Sequence, residues 1–266
     1  MKAVFKSLVV ASSLIAAGLS SAGAVTISTS GSVTSGDWTL SNLTGSGTLV
    51  FSSTLIGALN AGGVQVSQVN PATVTSTKRT NGKYSAISAA APVTSLTGTQ
   101  TGAASFAANV VATAGGALQT AEADDFTTTG GSLAITNLRV DIDAKKVFAT
   151  LVGGNGVGTV NNLYLWDITT VTGPTTFAAV PGTITANNEL TGLKITSNAF
   201  SLFSRSLGLT QPGNDALATV TDFGKISSSI SVTAAQVPAV PEPSTYALMG
   251  VGLVGLGLMS ARRRNK

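Results

Sequence analysis

The sequence predicts a mainly β protein, an antiparallel β-sandwich with one or two short helices, set between two apolar end segments. Three observations carry that expectation. Ser, Thr, Gly, Ala and Val dominate while charged residues make up 10% and aromatics 5% of the chain, and β-branched side chains suit a pleated surface. Apolar and polar residues alternate with period two in several short runs, the spacing that puts one face of a strand on a core. Gly- and Asn-containing turn signals separate those runs.

Residues 1–24 read as a secretory signal. Lys2 and Lys6 give a basic start, residues 7–19 an apolar stretch too short to span a bilayer, and Ala22-Gly23-Ala24 a small-residue cleavage site that makes Val25 the first mature residue. A body follows over 25–232. Its Ser/Thr/Gly-rich start, 25–36, is an extended arm, and 38–40 and 48–56 read as strands. Residues 64–69 alternate, turn at Asn70-Pro71 and give way to a second strand at 73–75. Asn81-Gly82, inside Lys78-Arg79-Thr80-Asn81-Gly82-Lys83, is a strong hairpin signal, and the cations around it read as a solvated loop.

Residues 85–120 are Ala-rich, and Ala favours a helix over 102–111. The clearest element is a hairpin over 131–151. Leu133, Ile135, Leu138, Val140 and Ile142 share a face with one register slip, Asp143 to Lys146 turn, and 147–152 return. A Gly-rich turn at 153–158 leads to a strand at 163–166. Pro181-Gly182, Asn187-Asn188 and Pro212-Gly213 divide the remainder into short segments, with an amphipathic helix over 198–209 capped by Asn198 and a last strand at 226–232. No repeat of 20 to 50 residues is present.

Charge and missing residue types narrow the chemistry. Of 15 Lys and Arg residues, two lie in the first segment and Arg262, Arg263, Arg264 and Lys266 at the end, leaving 9 in the body against 10 of the 11 acids. The pI of 9.5 therefore belongs to the ends, and a nucleic-acid partner is not expected. There is no His, which removes Ser-His-Asp chemistry and the commonest metal ligand, and no Cys, so no disulfide staples the fold. Glu122, Asp124 and Asp125 lack the spacing and glycine of a calcium loop. Asp141 and Asp143 read as the solvent-facing edge of a strand entering a turn. Gly250, Gly252 and Gly255 match a dinucleotide fingerprint, but only 11 residues follow them, too few for a βαβ unit. No catalytic residue, cofactor or metal is assigned. The alternatives are a module binding sugar or haem, or a glycan hydrolase built on two carboxylates, drawn from Asp37, Glu122, Asp124, Asp125, Asp141, Asp143, Asp167, Glu189, Asp215 and Asp222, beside Trp38 or Trp166.

A linker spans 233–244, and 245–261 are 17 uncharged residues. As a helix they reach roughly 25 Å, a minimal transmembrane span. The basic tail 262–266 would stay cytoplasmic. Pro241 and Pro243 lock φ and keep the peptide before the membrane extended.

Pro241-Glu242-Pro243, the short apolar helix and the Arg262-Arg263-Arg264 cluster together resemble the PEP-CTERM sorting signal of exported Gram-negative proteins. The resemblance covers about the last 29 residues. It implies an exosortase that cleaves near Pro241-Glu242-Pro243, with signal peptidase acting at the other end. It also implies a precursor held in the inner membrane, a mature body that is periplasmic, at the cell surface or extracellular, and a non-catalytic role linked to exopolysaccharide and biofilm. Ser132 to Asp143 also resembles the entry to a hairpin in HtaA-like domains of bacterial surface proteins. Haem binding there uses Tyr supported by His, and this chain has only Tyr84, Tyr164 and Tyr246 and no His.

Overall fold

The computed structural model describes residues 23–124, 126–238 and 248–251. The strands are β1 (Ala24–Ser28), β2 (Ser32–Ser35), β3 (Trp38–Phe51), β4 (Gln65–Val69), β5 (Thr73–Lys78), β6 (Tyr84–Gly102) and β7 (Ser105–Thr113), followed by β8 (Gly116–Ala121), β9 (Gly131–Asp141), β10 (Lys146–Gly153), β11 (Gly158–Thr172), β12 (Thr176–Ala178), β13 (Gly182–Ile195) and β14 (Gly224–Gln236). Helix α1 (Ser53–Ala61) follows β3, and α2 (Ser197–Ser206) and α3 (Gln211–Ala218) lie between β13 and β14.

All strand pairings are antiparallel and all belong to a single sheet. The mainly antiparallel β expectation holds, but the two-sheet sandwich does not. The order β7-β6-β3-β14-β13-β11-β10-β9 returns to β7, because Val110, Val111 and Ala112 pair with Asp141, Val140 and Arg139. Eight strands thus close into a barrel. A strand on a closed sheet satisfies both of its hydrogen-bonding edges.

Closure turns on one irregularity. Asn137 has φ +52°, a left-handed conformation that Asn tolerates better than most residues, and the β9–β10 register shifts beside it. This is the slip visible in the alternation of 133–142. Opposite it the chain breaks between β7 and β8 at Gly115, whose φ is +75°. Asn137 N–H donates to the Gly115 carbonyl at 3.0 Å, and Gly115 N–H donates to Asn137 Oδ1 at 3.2 Å. Below the bulge β9 pairs with β8, and above it with β7.

The outer face is hydroxyl-rich and the inner face apolar. On β14, Ser227, Ser229 and Ser231 alternate with buried Ile226 and Ile230, and the Thr185 and Ser231 hydroxyls pair across β13 and β14 at 2.8 Å. Helices close one pole. Leu55, Ile56 and Leu59 of α1, Ala199 and Phe203 of α2 and Leu217 of α3 join one large apolar cluster with the adjacent strands. Two smaller clusters fill the rest, one around Leu43, Val93 and Ile230, the other around Trp38 and Phe106 at the opposite pole. An apolar cavity of about 200 Å³ touches all three.

Several expectations are corrected. The stretch expected as a helix over 102–111 is instead the end of β6, a turn at 103–104 and most of β7, because Phe106, Ala108 and Val111 face the barrel interior and helix propensity yields to that packing. The strand expected over 48–56 stops at Phe51. Ser52 Oγ then accepts Leu55 N–H at 3.1 Å and starts α1, an N-cap in a position where the apolar run masks the change of period. The strands flanking Asn70-Pro71 form no ladder with each other, since β4 pairs with β8 and β5 with β6. Pro212 sits in the first turn of α3, where its missing N–H costs nothing, and β13 runs straight through Asn187-Asn188. The cap of α2 is Thr196, not Asn198. Residues 233–236, expected as linker, extend β14 to the pair Gln236↔Trp38.

Two glycine substitutions separate tight from loose regions of the sheet. A Cβ at Gly116 falls 1.9 Å from the Ile135 carbonyl oxygen, so Gly116→Ala is expected to destabilise by about 1–3 kcal/mol. At Gly47 the nearest atoms are the Ile226 and Thr113 methyl carbons, both at 3.8 Å. Gly47→Ala is therefore expected to stabilise by about 0.5–1 kcal/mol. Urea unfolding midpoints of the two variants, moving in opposite directions from wild type, check the pair.

Candidate functional site

The two chain ends leave the barrel at one pole, opposite the helices. Ala24 opens β1 and pairs with Thr99 of β6. Cleavage after Ala24 would remove that one pair and leave Val25↔Gly98, the Thr26–Thr97 hydroxyl bond of 2.9 Å and buried Ile27 in place. At the other end Gln236 pairs with Trp38, and Val237 N–H donates to the Asp37 carbonyl at 2.8 Å. Ser35 Oγ donates to Gln100 Oε1 at 2.6 Å, which ties the β2–β3 turn to the β6 end beside Thr99. Ala22, Pro241, Glu242, Pro243, Arg262, Arg263 and Arg264 lie outside the described residues. So does most of the expected membrane span at 245–261. Its residues 248–251 are helical, with Leu248, Met249 and Val251 each at least 60% exposed. Among the described residues no helix is long and apolar enough to cross a membrane.

The carboxylates named from sequence are dispersed and mostly engaged in local structure. Asp124 organises the loop before β9. Its Oδ1 accepts the N–H groups of Phe126, Thr127 and Thr128 at 3.0, 2.7 and 2.9 Å, and its Oδ2 accepts the Thr127 hydroxyl. Those donors, the Thr127 hydroxyl foremost and the Thr128 N–H next, hold the carboxyl well below the usual carboxylate range. The loop in turn fastens the helical pole, through Thr210 N–H to the Thr127 carbonyl at 3.0 Å and Thr129 N–H to the Gly208 carbonyl at 2.8 Å. Asp125 lies outside the described residues. Among the described residues no three His, Cys, Asp or Glu side chains are grouped to hold a metal ion.

Asp141 and Asp143 serve the β9–β10 turn. Asp141 accepts Ala144 N–H at 2.9 Å and lies 3.8 Å from the Arg139 guanidinium, while Asp143 accepts the Asn109 amide. Asp222 accepts Leu193 N–H at 3.0 Å and Gly224 N–H at 2.9 Å, joining the end of β13 to the start of β14. Asp215 accepts the Gln211 amide at 2.7 Å. Glu189 pairs with Lys225 at 2.7 Å, and that bond lowers its pKa.

The aromatics are similarly committed. Trp38 and Trp166 are 7% and 3% exposed and belong to the core, so neither offers a free face to a sugar. Tyr84 is buried, and its hydroxyl accepts Val66 N–H at 3.1 Å and donates to Gln65 Oε1 at 3.2 Å. Lys78, from the cationic loop, sits 4.6 Å above its ring. On the outer face of β9, β10 and β11 the register aligns Arg139, Phe148 and Tyr164. The Arg139 guanidinium lies 4.2 Å from the Phe148 ring centre, the two rings are 5.4 Å apart, and Lys146 caps the Tyr164 ring at 4.8 Å. Burial, and then the hydrogen bond that Tyr164 donates to Asp167, push its pKa up to about 12. The sequence offered no signal for this row beyond the cross-strand register, which the bulges of β9 and β11 set.

The PEP-CTERM protein-sorting motif matches residues 239–264. No curated protein and no solved structure matches the chain. The motif starts three residues after the last strand residue, Gln236. It marks an exported exosortase substrate.

Asp124 supplies a pH test. Its folded-state pKa lies below the unfolded value of 3.8, so its contribution to stability is complete above that value and is lost as pH falls below it. Asp124→Ala is expected to lower the melting temperature at pH 7 and to flatten the acid limb of the melting profile below the pH of 3.8. Amide exchange at Thr127 and Thr128, whose N–H groups lose their acceptor, is expected to accelerate. An unchanged acid limb and unchanged exchange at those amides would show that the carboxylate does not hold the loop.

Proposed function

We propose that this chain is an exported, exosortase-processed surface or extracellular-matrix protein without catalytic activity, linked to exopolysaccharide or biofilm. The sorting motif at 239–264 carries this reading. The precursor is held in the inner membrane by the tail, and the β body, from Val25 of β1 to the end of β14, is what reaches the outside.

The body's design supports display rather than turnover. Its hydroxyl-rich outer face and apolar interior invert the polarity of a membrane barrel, as suits a domain surrounded by water. The end strands of the sheet path, β12 and β4, have 3 and 5 residues, and short edges give little template for pairing with a second chain. Asp124, Asp141, Asp143, Asp167, Glu189, Asp215 and Asp222 each hold a nearby donor or cation of the fold, which favours the non-catalytic role over a two-carboxylate hydrolase.

Intact mass and terminal peptide sequencing of the protein recovered from its host test the processing. A chain that begins at Val25 and ends near Pro241 to Pro243, found in the surface or matrix fraction, is the expected result. A chain still ending at Lys266 in the inner-membrane fraction would make the tail a permanent anchor and overturn the proposal.

A further inference from the structure

From the barrel interior we infer a second property, independent of the tail: the cavity is a binding site for one small, uncharged, apolar molecule carrying a hydrogen-bond acceptor. The inference begins with register. Ala91 of β6 lies opposite Gly47 of β3, Gly47 opposite Ser228 of β14, and Ser228 opposite Asn188 of β13. All four line the cavity. One latitude of the barrel therefore carries only small or short side chains across four consecutive strands. The next interior row, Ala89–Leu49–Ile226–Leu190, restores bulk.

The resulting space is about 200 Å³. Protein interiors normally close such voids, and an apolar cavity of about 150 Å³ stays dry and takes up benzene-sized molecules. An eight-stranded barrel has the girth either to be filled by its own side chains or to hold one small ligand. Here the small-residue row leaves the second outcome open.

The wall also specifies the chemistry. Among the described residues it contains no Asp, Glu, Lys or Arg, so a carboxylate or phosphate would enter without a counter-charge, at a large desolvation cost. Few polar side chains line it, which argues against a sugar with its many hydroxyls. Trp166 forms part of the wall, is 3% exposed, and its indole N–H has no acceptor among the described residues. A buried donor left unmade is unfavourable, and a ligand carbonyl or ether oxygen would satisfy it. The preferred guest is thus a compact hydrocarbon body bearing one neutral acceptor.

The test is calorimetric titration of 2-acetonaphthone, with naphthalene-2-sulfonate as the charged control. Both are run on protein purified from its host without detergent, in the form the host delivers. Saturable binding of one 2-acetonaphthone per chain, and none of the sulfonate, is expected. Ser228→Leu fills the cavity and is expected to weaken binding at least tenfold, whereas Ser229→Leu, on the exposed outer face of the same strand, leaves it unchanged. If Ser228→Leu fails to fold, Gly47→Ala, which adds one methyl at the same latitude, is expected to weaken binding several-fold without loss of stability. Trp166→Phe keeps the ring, removes the N–H and is expected to weaken binding about tenfold. No saturable binding to wild type, equal binding of the sulfonate, or unchanged affinity in the folded cavity-filling variant would overturn the site. Unchanged affinity in Trp166→Phe would overturn the indole as donor.

Discussion

The fold depends on three residue pairs. Val110, Val111 and Ala112 reach Asp141, Val140 and Arg139, and without those pairs the sheet would be an open, strongly twisted ribbon running from β12 to β4, with 110–112 of β7 and 139–141 of β9 left unpaired on one side. Closure lets both main-chain edges of eight strands be satisfied inside one domain. That matters for a chain with no cysteine. Exported domains often rely on disulfides to constrain the unfolded state, and this one relies on ladder completeness and a core drawn from 27 to 234. The closing pairs are available only because β9 changes partner at Asn137, so one left-handed residue and the Gly115 bend facing it set the architecture.

Asparagine recurs as the device for curvature. Asn42 in β3 and Asn162 in β11 have φ of 53° and 51°, and the β3–β14 and β10–β11 registers shift beside them. Each bulge bends its strand and increases local twist, as a small barrel demands. A bulge also resets which side chains face inward, and on β9 and β11 that setting puts Arg139, Phe148 and Tyr164 in line on the outer face.

What the sequence made legible was local. The β9–β10 hairpin, its single slip and the β5–β6 turn at Asn81-Gly82 could be read because alternation and turn chemistry are properties of neighbouring residues. Closure was not legible, because β7 and β9 meet across about 30 residues through a three-pair contact that no periodicity announces. The Ala-rich stretch misled for a related reason: Ala89, Ala91 and Ala108 face the barrel interior, and that is a tertiary fact overriding helix propensity. Helix α1 left a readable mark in Ser52 and Gly62-Gly63, a cap and a stop around an apolar run. Among the carboxylates, residue type advertised chemistry while position assigned structure: Asp124 and Asp222 hold main-chain N–H groups, which is what exposed Asp in loops commonly does.

The arrangement of the ends completes the physical picture. If the tail is removed as proposed, it must be presented clear of the domain and its loss must not unravel the body. Both conditions follow from topology. β14 is an interior member of the barrel, paired along its length with β3 and β13, and the chain reaches its last ladder pair at Gln236, before the motif begins at residue 239. β1 lies at the margin of the sheet against β6, so trimming at Ala24 removes one pair from a five-residue strand. Val25 and Gln236, the ladder residues nearest to the expected processing points, thus lie at the rim of the closed sheet, at the pole away from α1, α2 and α3.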